Sequence, residues 1–309
     1  MIDEDLREQV PTRTNDEPAD DDVTPSGPAN VGSGVVAVNG RQVAYRRAGT
    51  DGPPILLLHG AGVDDSALSW AHVLPELGRD HEVYALDWPG HGDSDDLPEH
   101  SVESYRGVLE GFLDELGLES VELAGISMGG GVALAFALDA PERVRRLALV
   151  SSYGLGPSVP AGSLWYALAN VPGANQAGYT AMGTSRAAAR SGLSQVVHDA
   201  SALDDAFVEA FRERASRRGA GAAFAAFQRN EIGPSGRVHT NFGPELDALA
   251  MPTLFVHGTE DPLFPVSWAR EGVERVPDGR LVELSACGHW PPREHPDRVT
   301  SELVGFFTE

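Results

Sequence analysis

The sequence contains no lysine, so arginine supplies all 23 basic side chains other than histidine, against 46 aspartates and glutamates. The formal net charge of −23 makes nucleic acids and anionic membrane surfaces unfavourable partners, because their phosphates would be repelled. We therefore predict no nucleic-acid partner and no stable membrane association. The lack of lysine also argues against a phosphate-binding loop, which needs a lysine to reach the phosphates.

Two explanations fit this composition. A genome rich in G and C favours arginine codons and explains the missing lysine without any functional role. Adaptation to molar salt explains the excess of carboxylates as well, because a Debye length of about 3 Å screens their mutual repulsion. The second explanation predicts a halophilic protein, and the sequence alone leaves both open.

Other features are equally scarce. The single cysteine, Cys287, excludes an internal disulfide framework and a Cys-x-x-Cys metal site. No apolar run approaches the roughly 18 residues of a membrane span. The first residues include Asp3, Glu4 and Asp5, whereas a secretory signal needs basic residues followed by an apolar core. We predict a cytoplasmic protein, and the sequence does not indicate its oligomeric state.

The chain divides into three parts by composition. Residues 1–30 are rich in Asp, Glu, Pro and Thr, with few large apolar side chains, and are predicted to be a disordered acidic tail. Residues 31–152 and 246–309 alternate short apolar runs with segments of helical periodicity, which indicates an α/β core with a mostly parallel sheet. Residues 153–245 show only helical stretches and are predicted to form an inserted helical cap.

The stretch GISMGGG, residues 125–131, follows an apolar run that begins at Val121 and precedes a helical pattern. A serine at a sharp turn between a strand and a helix has a strained backbone, and residues two positions away come too close for side chains. Gly125 and Gly129 meet that requirement. The spacing predicts Ser127 as an exposed nucleophile at the carboxyl end of the sheet.

A serine hydroxyl needs a base and an orienting carboxylate. We predict His289 as the base, because it directly follows the last apolar run, and Asp261 as the acid, because it follows the run beginning at Thr253. The remaining candidates are the histidines His295 and His257 and the acids Glu260 and Asp87.

The reaction also needs donors for the oxyanion of a tetrahedral intermediate. We predict the backbone N–H of Met128, which opens the helix after Ser127, and that of Ala61 in the loop after the first parallel strand. His59 in the same loop is interpreted as structural, with side-chain hydrogen bonds that hold the loop. No metal or organic cofactor is expected.

Together these residues resemble the α/β-hydrolase family from about residue 35 to the C-terminus. The motifs that carry the resemblance are His59–Gly62, Asp87–Ser94, Gly125–Gly131, Gly258–Asp261 with Pro265, and Gly288–His289 with Glu294 and Pro296. The resemblance implies an eight-stranded sheet, antiparallel only at its start, flanked by helices and with the helical cap inserted after the sixth strand.

The main functional hypothesis is a serine hydrolase that cleaves carboxylic esters or related acyl compounds through an acyl-serine intermediate. The alternatives are a carbon–carbon bond hydrolase of ring-fission products, a cofactor-free perhydrolase or haloperoxidase, and a ligand-binding protein without turnover. Resemblance to the carbon–carbon hydrolases lies in Ser127–Gly130, Leu155–Ser158 and Cys287–Trp290 with Glu294 and His295. Ile126 stands where those enzymes have asparagine, and a glycine-proline-glycine run after His59 is missing.

The substrate pocket is less clearly indicated. Trp290, Ile126 and Trp165 are its main candidates, because the first two flank the predicted base and nucleophile and the third lies in the cap. A carbon–carbon hydrolase of dienoic ketoacids would need a cation in the cap to meet the substrate carboxylate. The further candidates are Phe224, Phe227, Leu164 and Leu168 for the apolar wall and Arg212 and Arg214 for the cation.

Overall fold

Short apolar runs become strands whose side chains alternate between two faces. The computed structural model describes residues 29–309, so residues 1–28 of the predicted acidic tail lie outside the described residues. The strands are β1 Val31–Val38, β2 Arg41–Ala48, β3 Pro54–Leu58, β4 Glu82–Leu86, β5 Val121–Ile126, β6 Val144–Val150, β7 Thr253–Gly258 and β8 Gly279–Leu284.

The strands form one eight-stranded sheet in the order β1-β2-β4-β3-β5-β6-β7-β8. Strands β1 and β2 pair antiparallel through a turn at Asn39 and Gly40, and β2 also pairs antiparallel with β4. Every other pair is parallel. The prediction of a mostly parallel eight-stranded sheet with an antiparallel start is confirmed.

Helices cover both faces of this sheet, because its strands bury side chains on both sides. In β3, Leu56 and Leu58 join the core on one face, whereas Ile55 and Leu57 join the core on the other. The helices outside the insertion are α1 Ser66–Ser69, α2 Val73–Leu77, α3 Val102–Glu115, α4 Met128–Asp139, α10 Val266–Arg275, α11 Pro291–Glu294 and α12 Pro296–Thr308. The side chain of Ser101 accepts from Ser104 N–H and starts α3, whereas Asp65 accepts from Leu68 N–H and starts α1.

Five helices lie between β6 and β7, in the span that the sequence predicts to be a cap. They are α5 Gly162–Ala169, α6 Ala174–Gly183, α7 Arg186–Leu193, α8 Asp205–Ala215 and α9 Ala222–Glu231. Each of the five contributes residues to the wall of one cavity over the carboxyl ends of the strands. The insertion therefore determines much of what a ligand in that cavity would contact.

Candidate active site

Ser127 sits at the turn between β5 and α4, in a backbone conformation that L residues rarely adopt. Its φ is 53° and its ψ is −120°. The turn is held from both sides, because Ser127 N–H donates to Val150 O and Ser127 O accepts from Tyr153 N–H. These bonds fix the strained turn that the sequence predicts. The Ser127 side chain lines the cavity.

Glycine is required two residues before and after Ser127. A Cβ on Gly125 would collide with the carbonyl oxygen of Gly129. A Cβ on Gly129 would lie 2.5 Å from the carbonyl oxygens of both Leu58 and His59. The atoms that these Cβ atoms would meet belong to the backbone of packed elements, so the overlap could be relieved only by moving the backbone.

A Gly129→Ala variant is therefore expected to lose about 3 kcal/mol of unfolding free energy, in the upper part of the range for overpacked cores. Urea unfolding followed by circular dichroism measures the loss. Gly107→Ala is the matched control, because Gly107 also lies within a helix and a Cβ there meets nothing within 4 Å. Equal midpoints for the two variants would contradict the steric account.

The structure brings the three predicted triad residues into one hydrogen-bonded chain. His289 Nε2 lies 2.9 Å from Ser127 Oγ, and His289 Nδ1 lies 2.8 Å from Asp261 Oδ2. Since the carboxylate can only accept, Nδ1 carries the proton and Nε2 is free to accept from the serine hydroxyl. The loop that presents His289 is anchored by its own N–H, which donates to Val196 O in the cap insertion.

The side chain of Asp261 is fully buried, and both of its carboxylate oxygens accept hydrogen bonds. Oδ1 accepts from the N–H groups of Leu263 and Phe264, at 2.8 and 3.0 Å, while Oδ2 accepts from His289. Burial alone would raise the pKa of Asp261, but His289 and His257 favour the carboxylate and hold the pKa below its ordinary value. The acid therefore stays ionised beside the base.

The rival candidates have other roles. His257 is buried on the far side of Asp261, with Nε2 3.0 Å from Phe264 O and 3.4 Å from Asp261 Oδ2. His295 is the residue that precedes the last helix, and its Nε2 lies 3.1 Å from Ala286 O. Glu260 accepts from Cys287 N–H, and Asp87 accepts from Ser66 N–H. They hold loops around the site, and none of the four lines the cavity.

His59 holds the loop before the predicted oxyanion donor, as the sequence analysis predicts. Its Nδ1–H donates to Gly60 O at 2.8 Å, and its Nε2 accepts from Trp88 N–H at 2.9 Å. Burial lowers the pKa of His59 to about 4, so the ring is neutral near pH 7. The predicted donors, Ala61 N–H and Met128 N–H, belong to residues that line the cavity and have no hydrogen-bond acceptor within residues 29–309.

Asp64 is a cavity residue that the sequence analysis did not single out. Its Oδ2 accepts from Gly60 N–H at 2.8 Å and from Ser69 Oγ–H at 2.6 Å, and Ser69 Oγ accepts in turn from Trp290 Nε1–H. Burial raises the pKa of Asp64 to about 7, against the opposing effect of the Ser69 hydrogen bond. Nothing in the spacing of the loop distinguishes this aspartate from Asp65 beside it, which is also buried but pairs with Arg214 instead.

A cavity of about 470 Å³ opens beside Ser127 and His289. The three predicted pocket residues Trp290, Ile126 and Trp165 all line it, as do Phe224 and Phe227. Leu164 and Leu168, the other apolar candidates, do not line it, because their side of α5 faces solvent with exposed fractions of 58% and 45%. The wall is largely apolar and fits a small organic molecule.

Neither of the two arginines predicted as the substrate-binding cation, Arg212 and Arg214, lines the cavity. Arg212 pairs with Glu209 through Nε, at 2.9 Å from Oε1, and donates to Gly183 O. Arg214 pairs with Asp65 and donates to Ala210 O. No arginine lines the cavity in the part of the chain that the structure describes. The cation expected for a dienoic ketoacid is therefore missing at these positions.

The described residues also offer no evident metal site or membrane span. Between residues 29 and 309, no group of three or more His, Cys, Asp or Glu side chains is placed to hold a metal ion. In the same range, no helix is both long enough and apolar enough to cross a bilayer.

A serine on a strained strand-to-helix turn, beside a buried His–Asp pair and a cavity at the carboxyl end of a parallel sheet, is the arrangement of a hydrolase. A family model described as the alpha/beta hydrolase fold matches residues 53–296. The chain belongs to the α/β-hydrolase family.

Comparison with known proteins gives relatives of several kinds. The 2-hydroxymuconate semialdehyde hydrolase of Pseudomonas sp. (strain CF600) is 31% identical over 266 residues, covering 83% of this chain and 87% of that protein. The acetyltransferase component of the acetoin cleaving system of Cupriavidus necator is 32% identical over 263 residues, covering 83% and 64% respectively. The structure of a meta-cleavage product hydrolase from Pseudomonas fluorescens IP01 has a TM-score of 0.75 at 26% identity, covering 89% and 97%.

Proposed function

We propose that this chain hydrolyses a bond adjacent to a carbonyl group through a covalent intermediate on Ser127. The observation that carries the proposal is the hydrogen-bonded chain from Ser127 through His289 to the buried Asp261, which opens into the cavity. A serine whose hydroxyl lies beside a histidine nitrogen, with an ionised acid orienting that histidine, is equipped for nucleophilic attack on a carbonyl carbon.

The reaction follows from the positions of these groups. Ser127 Oγ forms a bond to the carbonyl carbon as its proton passes to His289 Nε2, and Asp261 stabilises the imidazolium. The N–H groups of Ala61 and Met128 are proposed to donate to the oxyanion. The imidazolium then gives its proton to the leaving atom as the scissile bond breaks, and water, activated by His289, releases the acyl group as a carboxylic acid.

Two bond types are compatible with this chemistry, and different observations favour each. The named carbon–carbon hydrolases among the relatives favour cleavage of a carbon–carbon bond over the carboxylic ester that the sequence predicts first. A relative from the acetoin cleaving system has a similar identity of 32%, although the match covers only 64% of that protein. Sequence similarity therefore favours the carbon–carbon reaction without selecting it.

The cavity wall favours a neutral substrate. Among the described residues the wall includes no arginine, and Asp64 carries no positive charge in either protonation state, so an anionic substrate would lack a partner for its charge. An uncharged ester, or a ring-fission ketone whose acidic group is absent or masked, avoids that cost. The geometry therefore supports ester hydrolysis best, with carbon–carbon hydrolysis as the second candidate.

The test compares the parent protein with Ser127→Ala on p-nitrophenyl esters of increasing acyl length and on a 6-oxo-dienoate ring-fission product, in molar potassium chloride. We expect turnover of at least one class, reduced at least about 10³-fold by the substitution. Ser301→Ala is the matched control, because Ser301 is an exposed residue of α12. A fluorophosphonate should label the parent and the control but not Ser127→Ala.

The outcomes separate the alternatives. Turnover of esters alone would select the ester hydrolase, and turnover of the dienoate alone would select the carbon–carbon hydrolase. A folded parent protein that neither turns over any substrate nor reacts with the fluorophosphonate would contradict the proposal and favour a binding protein that keeps the fold without catalysis.

A further inference from the structure

Tyr179, on helix α6 of the inserted segment, places its hydroxyl beside Gly62, in the loop that carries Ala61. A Cβ on Gly62 would lie 2.9 Å from the Tyr179 hydroxyl, so the missing side chain leaves room for this oxygen. A Cβ on Gly221 would collide with the edge of the Tyr179 ring. Both glycines have positive φ, 87° and 78°, and together they form a slot that sets the position of the phenol.

Three other polar side chains around the cavity have protein partners. The Tyr153 hydroxyl donates to Glu231 Oε2, and the Trp290 indole donates to Ser69. The Gln228 oxygen accepts from Asn175. The Tyr179 hydroxyl has no hydrogen-bond partner within residues 29–309, although it belongs to a cavity-lining residue. Tyr179 is half-buried, so its hydroxyl is available to donate to a ligand atom in the cavity.

The surroundings of this hydroxyl restrict the atom that it would bind. Burial raises the pKa of Tyr179, so the phenol is neutral and donates its proton. The wall contains no arginine to balance an anion, and Asp64 lies on the same loop as Gly62. A neutral oxygen of the substrate fits this position better than a carboxylate oxygen.

We propose that Tyr179 is a substrate-binding residue, whose hydroxyl donates a hydrogen bond to a second, neutral oxygen of the substrate, distinct from the carbonyl that Ser127 attacks. The inference rests on the proposed function. It assigns the substrate to oxygenated neutral acyl compounds, in which a keto, hydroxyl or ether oxygen lies on either side of the scissile bond. A purely hydrocarbon acyl chain would leave Tyr179 unsatisfied and would be a poorer substrate.

The test uses isosteric pairs in which one methylene is replaced by oxygen. On the acyl side, p-nitrophenyl butanoate is compared with p-nitrophenyl methoxyacetate and the pentanoate with the 3-methoxypropanoate. On the alcohol side, butyl acetate is compared with 2-methoxyethyl acetate by titration of released acid. The ratio of kcat/KM within each pair is measured for the parent and for Tyr179→Phe, so that intrinsic ester reactivity cancels.

For at least one pair, the ratio should favour the oxygen-containing ester about 10-fold more in the parent than in Tyr179→Phe, the loss expected when a site built for a hydrogen bond cannot make it. The melting temperature should not fall, since the hydroxyl makes no bond within the described chain. Tyr166→Phe is the matched control, because Tyr166 lies on α5 and does not line the cavity. Equal ratios in parent and Tyr179→Phe for every pair would overturn the proposal.

The same pairs are also titrated into Ser127→Ala and into Ser127→Ala/Tyr179→Phe, where the acyl-serine step cannot occur. There the dissociation constants should show the same roughly 10-fold change in preference. Tyr179 is thereby tested even if the parent fails to turn over esters, which would count against the proposed function alone. Identical preferences of the two proteins across all pairs would overturn the role of Tyr179 and leave the triad untouched.

Discussion

An Asp261→Asn variant is expected to fold normally and to lose about 10⁴-fold in kcat, the effect of the same substitution in a serine-protease triad. Asp261 Oδ1 is committed to the N–H groups of Leu263 and Phe264. An asparagine at this position would keep its oxygen there and turn its amide nitrogen towards His289. The amide would then donate to His289 Nδ1, where the carboxylate accepts.

The reversed hydrogen bond would place the proton of His289 on Nε2. Nε2–H would donate to Ser127 Oγ, which lies 2.9 Å away, and could not take the serine proton. The loss should therefore fall on kcat and on the rate of fluorophosphonate labelling. Substrate affinity should change little, because Asp261 does not line the cavity.

Single-turnover kinetics and the labelling rate measure this effect. Glu260→Gln is the matched control, since Glu260 is the adjacent acid and contacts Cys287 N–H and Thr259, with no contact to His289. The control should keep near-parent activity. A kcat of the Asp261→Asn variant within about 10-fold of the parent value would mean that another group orients the base. His257, which lies beside Asp261, would be the first residue to test for that role.

Local sequence was sufficient to predict the sheet and the placement of Ser127, His289 and Asp261 next to one another. Each buried strand is a short apolar run, and each predicted triad residue follows one of these runs, where parallel strands end at a common edge. The elbow was recognisable because Gly125 and Gly129 must lack side chains against specific backbone atoms. Each strand, and the glycine pattern around Ser127, consists of residues close together in the sequence, so the sequence pattern alone indicates it.

The insertion was predicted less completely. The helices α5, α6 and α7 carry many small residues, and α5 and α6 show little apolar periodicity, so the sequence indicated helix in general terms without locating them. The segment around Leu68 to Leu77 has helical periodicity in the sequence, but the chain there forms two short helices, α1 and α2. These boundaries depend on tertiary packing that local patterns do not encode.

The polar groups of the cavity were the least predictable part of the site. Asp64 and Tyr179 face the cavity only because distant elements fold over them, and neither stands in a recognisable motif. The candidates Arg212 and Arg214 fit the sequence expectation for a cap cation, but their partners Glu209 and Asp65 draw both away from the cavity. Whether each of these four residues lines the cavity depends on the direction of its side chain, which the sequence did not specify.

Acidification from pH 7 to pH 4 is expected to lower the free energy of unfolding by several kcal/mol, chiefly through two buried histidines. Burial lowers the pKa of His59 to about 4 and that of His91 to about 3, against 6.5 for an ordinary histidine. In the unfolded chain the two histidines take up protons below about pH 6.5, whereas in the folded chain they stay neutral until the pH approaches their lowered pKa values. Their stabilisation is therefore complete above pH 6.5 and is lost as pH falls towards 4.

Asp64 opposes this trend. Its pKa of about 7 lies above the ordinary 3.8, so the folded chain keeps this proton over a range in which the unfolded chain has lost it. The contribution of Asp64 to stability therefore falls as pH rises from about 4 to 7. A shift of 3 pKa units corresponds to about 4 kcal/mol for any one group, so the two histidines together outweigh Asp64. Asp64→Asn should make the loss of stability towards low pH steeper.

Urea unfolding at pH 7, 5.5 and 4 measures these slopes. His91→Gln should remove about 3 kcal/mol of the loss between pH 7 and pH 4, because His91 is the more strongly shifted of the two and its Nε2 has no partner among the described residues. His72→Gln is the matched control, since His72 is exposed, and it should reproduce the parent slope. If His91→Gln and His72→Gln gave the same slope, protonation of the buried histidines would not explain the acid sensitivity, and the excess of carboxylates would become the stronger explanation.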